Sequence, residues 1–123
     1  MSERLVLLLA ALAAAPCTLA EPPAAAQAEV RHLLGYLERS GCEFFRNGAW
    51  YSAPDARKHL EKKYDYLVRK DLLRSAEDFI RLGAASSSMS GKAYQVRCKG
   101  GAPVPSAAWL GSELARYRKA ASR

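Results

Sequence analysis

Of the three cysteines in this chain, Cys17 falls beside an apolar stretch at the amino terminus, while Cys42 and Cys98 lie far apart in the remainder. Whether those two can join decides which folds are open to it. Disulfides persist in oxidising compartments and are rare in the cytosol, so the amino terminus carries the argument. Arg4 precedes the run "LVLLLAALAAA" (residues 5–15), Pro16 breaks it, and small Thr18 and Ala20 stand two apart. That is the layout of a secretory leader cleaved after Ala20, which predicts a periplasmic or secreted protein. The run is shorter than the about 20 apolar residues that cross a bilayer. A core helix would show a polar face, which this stretch lacks. Lipid attachment at Cys17 is opposed by the proline directly before it.

Cleavage leaves residues 21–123, one domain of ordinary size, with residues 21–28 ("EPPAAAQA") expected as a flexible tail that turns helical toward its end and 29–120 as the folded unit. Cys42 and Cys98 are then an obvious pair. Closing that loop contributes about 4 kcal/mol in the chain-entropy model, against the roughly 5–15 kcal/mol by which a small domain is stable. A metal or redox role has no support: there is no CxxC, and the histidines are His32 and His59 alone.

Hydrophobic spacing supplies the elements. Val30, Leu33, Leu34 and Leu37 fall on one helical face, with Gly41 placed as a stop. Aromatic pairs flank Asn47-Gly48, the strongest short hairpin signal, predicting paired strands at 43–46 and 49–51. Ser52 caps a second helix to about Lys70, with Pro54 and Asp55 in its first turn and Ala53, Ala56, Leu60, Tyr64 and Leu67 inward. Ser75 with Glu77 and Asp78 starts a short helix that Gly83 can end. Tyr94, Val96 and Cys98 alternate as a half-buried strand, "KGGAPVP" is a turn and extended link, and Ser106 caps a last helix through about Ala120 with Trp109, Leu110 and Leu114 inward. The sum is α+β: a small helix-rich domain with a short antiparallel sheet, made of the hairpin plus one strand, and one disulfide.

Candidate chemistry concentrates in a few places. The run "ASSSMSGKAYQVRC" (85–98) crowds serines before a glycine. A nucleophilic serine needs a base and an orienting group, and neither a GxSxG elbow nor an SxxK is present. The run can equally serve as a donor-rich loop for an anion or sugar, or as a plain polar connection. His59 shares a helical stripe with Asp55 and Lys63, which suits proton transfer or the edge of a core. The formal net charge is +7, and Arg57, Lys58, Lys62, Lys63, Arg69, Lys70 and Arg74 outnumber Glu61, Asp65 and Asp71 over one stretch. Nucleic acid is excluded as a partner by export and by the lack of any such motif. An anionic envelope polymer or an acidic envelope protein fits the charge, as does a solvated helix face. Phe44, Phe45, Trp50 and Tyr51 cannot all point inward, because strand neighbours face opposite sides.

"RNG", "APDARKHLEKK", "SAEDFI" and "ASSSMSGKAYQVRC" together resemble the YfeK-like family of small exported bacterial proteins of unknown function. The likeness covers roughly residues 29–118 and falls on Arg46, Asn47, Gly48, Ala56, His59, Leu60, Lys63, Ala76, Glu77, Phe79, Ile80, Ser86, Ser90, Gly91 and Tyr94. It implies a periplasmic domain and no particular activity. Ser90, Gly91 and Tyr94 are also similar to the Ser-Gly-x-x-Tyr stretch of periplasmic lysozyme inhibitors, which are β-barrels.

The reading is a non-enzymatic binding module with no cofactor, no metal site and no catalytic set. Its surface is expected around Ser86, Ser88, Ser90, Gly91 and Tyr94, with Arg46, Asn47, His59 and Lys63 as neighbours. The rival readings are an enzyme acting on envelope polymers with His59 as base, an inhibitor of a wall-lytic enzyme, and a purely structural or stress-protective protein. Oligomeric state is open.

Overall fold

The computed structural model describes residues 21–123; the expected leader lies outside the described residues. The order is α1 (Ala24–Arg39), β1 (Glu43–Arg46), β2 (Ala49–Ser52), α2 (Ala53–Arg69), α3 (Ala76–Phe79) running into a π-helical turn (Ile80–Ala84), β3 (Gln95–Arg97), β4 (Val104–Pro105) and α4 (Ser106–Ala121). The fold is α+β, as the hydrophobic spacing predicts. The sheet is antiparallel throughout, in the order β2-β1-β3-β4.

Four local features differ from the sequence reading. Helix α1 begins at Ala24, not near Glu29, and Ala26 is buried. Three consecutive alanines favour helix, and the entry is tied down where Gln27 donates from its side chain to the Pro22 carbonyl at 2.7 Å. The segment expected as a tail is therefore mostly helix. A fourth strand, β4, pairs Val104 with Val96. Its two residues are too few to show alternation, and Pro105, which has no N–H to offer a ladder, suits this edge position. Gly83 does not stop the third helix but sits buried inside the π turn. A Cβ there would meet Leu67 Cδ1 at 3.3 Å and Phe79 Cδ2 at 3.4 Å, so the missing side chain lets this turn lie against α2. Ser106 is not a cap: it is the first residue of α4, it is buried, and its N–H donates to the Tyr94 carbonyl at 2.9 Å.

Other expectations hold. Asn47 and Gly48 both have positive φ (48° and 86°), as a type I′ turn requires. Ser52 caps α2 by accepting from the Asp55 N–H at 3.3 Å. Cys42 and Cys98 are disulfide-bonded. They flank the Glu43–Arg97 pair, so the bond staples the start of β1 to the end of β3.

Phe79, Leu33, Leu37, Leu73, Leu110, Val30 and Val96 are the largest fully buried apolar side chains, drawn from α1, α3, α4, the sheet and the link between α2 and α3. Burial of each contributes about 1.5–3 kcal/mol. Phe44 and Val96 face one another on the inner side of the sheet, against the helices. Phe45 and Trp50 pair on the other side, with ring centroids 5.2 Å apart and Arg97 over Trp50 at 3.9 Å. Among the described residues no helix is long and apolar enough to cross a membrane.

Candidate functional site

Strand parity builds the site. Phe44 faces the core, so Arg46, two positions on, points to the same side at the strand's end; Tyr51 and Tyr94 join it from β2 and from the residue before β3. Helix α2 crosses this end of the sheet and contributes His59 and Lys63, one turn apart. Arg46 Nη1 donates to His59 Nδ1 at 3.1 Å, and its guanidinium lies over the Tyr51 ring at 4.7 Å. His59 Nε2 meets the Tyr94 hydroxyl at 3.0 Å. Lys63 Nζ donates to that hydroxyl at 3.1 Å and to the Ser86 carbonyl at 2.9 Å.

Arg46 Nη1 also lies 3.5 Å from His59 Nε2, so the guanidinium sits against the ring between its two nitrogens. The Lys63 ammonium donates to the Tyr94 oxygen, and the same hydroxyl shares a hydrogen bond with His59 Nε2. Burial holds the Tyr94 hydroxyl above its usual pKa, partly offset by Arg46, so it stays protonated. Burial, then the charges of Arg46, Lys63 and Lys62, push His59 down to about 4. Burial and Arg46 push Lys63 down to about 8.

Among the described residues neither Arg46 nor Lys63 forms an ion pair, although most other arginines do: Arg57 with Glu38 and Glu61, Arg74 with Asp71, Arg97 with Glu43. The basic stretch expected along α2 thus divides. Arg57 and Arg74 belong to a paired, solvated surface, while Lys63 turns in toward Tyr94. Beside the cluster a cleft of about 30 Å³ opens between the hairpin and α2, bounded by Phe44, Tyr51, Ala56, Leu60 and the polar edge of Arg46, His59 and Tyr94. Such a space admits a small group of atoms.

The serine loop is a braced hairpin. Ser86 bridges Ala93, the Ser87 N–H donates to the Lys92 carbonyl at 2.9 Å, and the Gly91 N–H returns to the Ser87 carbonyl at 2.9 Å. The Ser87 hydroxyl accepts from the Met89 and Ser90 N–H groups at 3.3 Å each. Ser90 Oγ donates to the Asn47 side-chain carbonyl at 2.8 Å, latching the loop to the β1–β2 turn.

Five of the expected residues are therefore brought together, Arg46, His59, Lys63 and Tyr94 directly and Ser86 through its carbonyl, while Asn47 and Ser90 latch to each other at the loop. Gly91 serves the turn at φ 71°. Ser88 is exposed and stands apart from the cluster. His59 does not meet a serine hydroxyl; its partners are Arg46 and Tyr94. Sequence reasoning missed Tyr51 as a wall of the site and Ser87 as the buried brace. Strand parity from Phe44 was the signal that could have found Tyr51; nothing in four similar serines singles out Ser87. Among the described residues no group of acids, histidines and cysteines is placed to hold a metal.

Fold and site together define a small disulfide-braced α+β domain with an electropositive cleft at the end of its sheet. The model of a family of unknown function, DUF5329, matches residues 24–118, and the chain belongs to that family. No curated protein and no solved structure matches it.

Proposed function

We propose that this is a non-enzymatic binding module of the bacterial envelope, periplasmic or secreted after removal of residues 1–20, which takes an anionic group of an envelope polymer or partner protein at Arg46, Lys63 and Tyr94. The carrying observation is that two cations converge, Arg46 on His59 and Lys63 on the Tyr94 hydroxyl that His59 also meets, and neither forms an ion pair among the described residues. Holding two half-buried positive charges together is unfavourable in the free protein, and an anion relieves that repulsion. The likeness to YfeK-like exported proteins and the disulfide support the envelope setting.

The enzymatic reading is disfavoured by His59 itself. A general base needs a lone pair facing substrate, and both ring nitrogens of His59 are engaged, with Arg46 beside Nδ1 and the Tyr94 hydroxyl on Nε2. Inhibition of a wall-lytic enzyme draws support from a different observation: Met89, 95% exposed, stands at the tip of the braced serine loop. The serine loop would then be the partner contact and the cationic cleft a secondary one.

Thermal melts test the main reading. Polyanions and small anions at constant ionic strength should raise Tm in the native protein and leave Arg46→Gln/Lys63→Gln unmoved. Equal shifts in both proteins would remove the site from consideration. Mass spectrometry of the purified envelope fraction should find a chain beginning at Glu21; an intact Met1 there would overturn the export reading.

A further inference from the structure

The charges of the cleft do not explain its walls. Phe44, Tyr51, Ala56 and Leu60 supply apolar walls, beside the polar Arg46, His59, Tyr94, Asp55 and Ser106. A site for a fully hydrated anion has no use for such walls, because each apolar face displaces water from the ion without replacing its hydrogen bonds. An anion attached to carbon gains from them.

We infer, building on the anion-binding reading above, that this cleft takes a monocarboxylate with a short apolar body, the chemistry shared by a small organic acid and by a peptide carboxyl terminus that ends in a small apolar residue. Two features support a carboxylate over a phosphate, since a guanidinium edge suits either. Arg46 is stacked on Tyr51 and held against His59 through Nη1; its remaining donors have no partner among the described residues, and one such edge serves two oxygens rather than three. Asp55, exposed at the first turn of α2, is the single acid in the lining and opposes a second negative charge. The cleft, at about 30 Å³, is too small for a sugar ring or a lipid chain.

Titration of the protein, beginning at Glu21, by 1H–15N spectra at constant ionic strength decides the matter, with butyrate, N-acetylalanine, N-acetylalaninamide and inorganic phosphate as probes. Butyrate and N-acetylalanine should both move the signals of Arg46, His59 and Tyr94. Tighter N-acetylalanine indicates a peptide terminus and tighter butyrate a free acid. N-acetylalaninamide, which lacks the charge, and phosphate should each bind at least about tenfold more weakly than the better acid. Ala56→Leu, which adds bulk to an apolar wall, should weaken both acids at least about tenfold and leave phosphate where it was. Phosphate binding as tightly as the acids, or acids unaffected by Ala56→Leu in a variant whose other signals are unchanged, overturns the carboxylate assignment while the anion site stands. No response of these signals to any anion overturns both.

Discussion

The two histidines occupy comparable positions, each half-buried on a helix, in opposite electrostatic company. His32 on α1 reaches Glu113 of α4 at 2.7 Å, and its ring stacks on Tyr117 with centroids 4.1 Å apart. Glu113 is buried yet held ionised, its pKa lowered first by Arg116, against the cost of burial, and then by His32. Nearby, Arg118 pairs with both Glu29 and Glu77, tying α4 to α1 and α3. Every cation of this cluster that packs inward has an acid. His59 has Arg46, Lys63 and Lys62 instead, and its pKa falls where such company sends it. The first cluster joins helices and is electrostatically complete. The second is held in place by a staple, a latch and a helix, and on the proposed reading an anion completes it. Completeness marks a structural role, and a braced surplus of one sign marks a place for a ligand.

The contrast between the two clusters can be tested by substitution and by pH. The largest effect is expected from the staple, which holds the strands carrying Arg46 and leading from Tyr94. Cys42→Ser/Cys98→Ser should lose about 4 kcal/mol in urea unfolding, less any residual structure in the unfolded chain. A loss below 1 kcal/mol would mean that the sheet holds without it. Next comes the complete cluster. Glu113→Ala removes a buried acceptor of bonds from His32 and Arg116 and should cost about 2 kcal/mol, with no effect on anion binding. A binding defect in this variant would erase the distinction between the two clusters.

Tyr94→Phe should cost about 1 kcal/mol, because His59 Nε2 loses its hydrogen-bond partner and Lys63 keeps only Ser86. It should also weaken anion binding. The pH dependence comes next. The folded His59 titrates at about 4 against an ordinary 6.5, so between those values the unfolded chain takes the proton first. Stability from this group is present above about 6.5 and is lost as pH falls toward about 4. The half-exposed ring is screened by water, which limits the loss to on the order of 1 kcal/mol. Melts across that window, with His59 followed by NMR, check it; a ring that titrates near 6.5 would contradict the unpaired-cation account. Lys63 titrates at about 8, so anion affinity should decline above that pH. The smallest stability change is expected for Arg46→Gln, within about 0.5 kcal/mol, since relief of repulsion offsets the lost stacking on Tyr51. That variant should nonetheless raise the pKa of His59 and abolish the anion response. Stability lost as heavily as in Glu113→Ala would place Arg46 among the structural ion pairs.

How much of this was legible beforehand follows from where each signal resides. The hairpin was readable because Asn47-Gly48 encodes its own turn, and α2 because Ser52, Pro54 and the inward leucines agree within one segment. The disulfide was readable by elimination. Strand β4 was not, since two residues carry no period. The early start of α1 was hidden because Pro22 and Pro23 look like a linker until Gln27 is seen folding back on them. At the site, His59 and Lys63 stood out as helical neighbours, but sequence spacing also put Asp55 in their company. The pairing that forms is instead with Arg46 and Tyr94, 13 and 35 positions away from His59.

Local chemistry thus determined the elements: periodicity, caps and positive-φ turns act over a few residues, and their physics is complete within the segment. Tertiary structure alone decided that Arg46, Lys63 and Tyr94 share one small volume while His32 receives an acid. Coulomb energies and desolvation depend on distances through space, and those distances exist only after α2 has crossed the end of the sheet and Cys42 has joined Cys98.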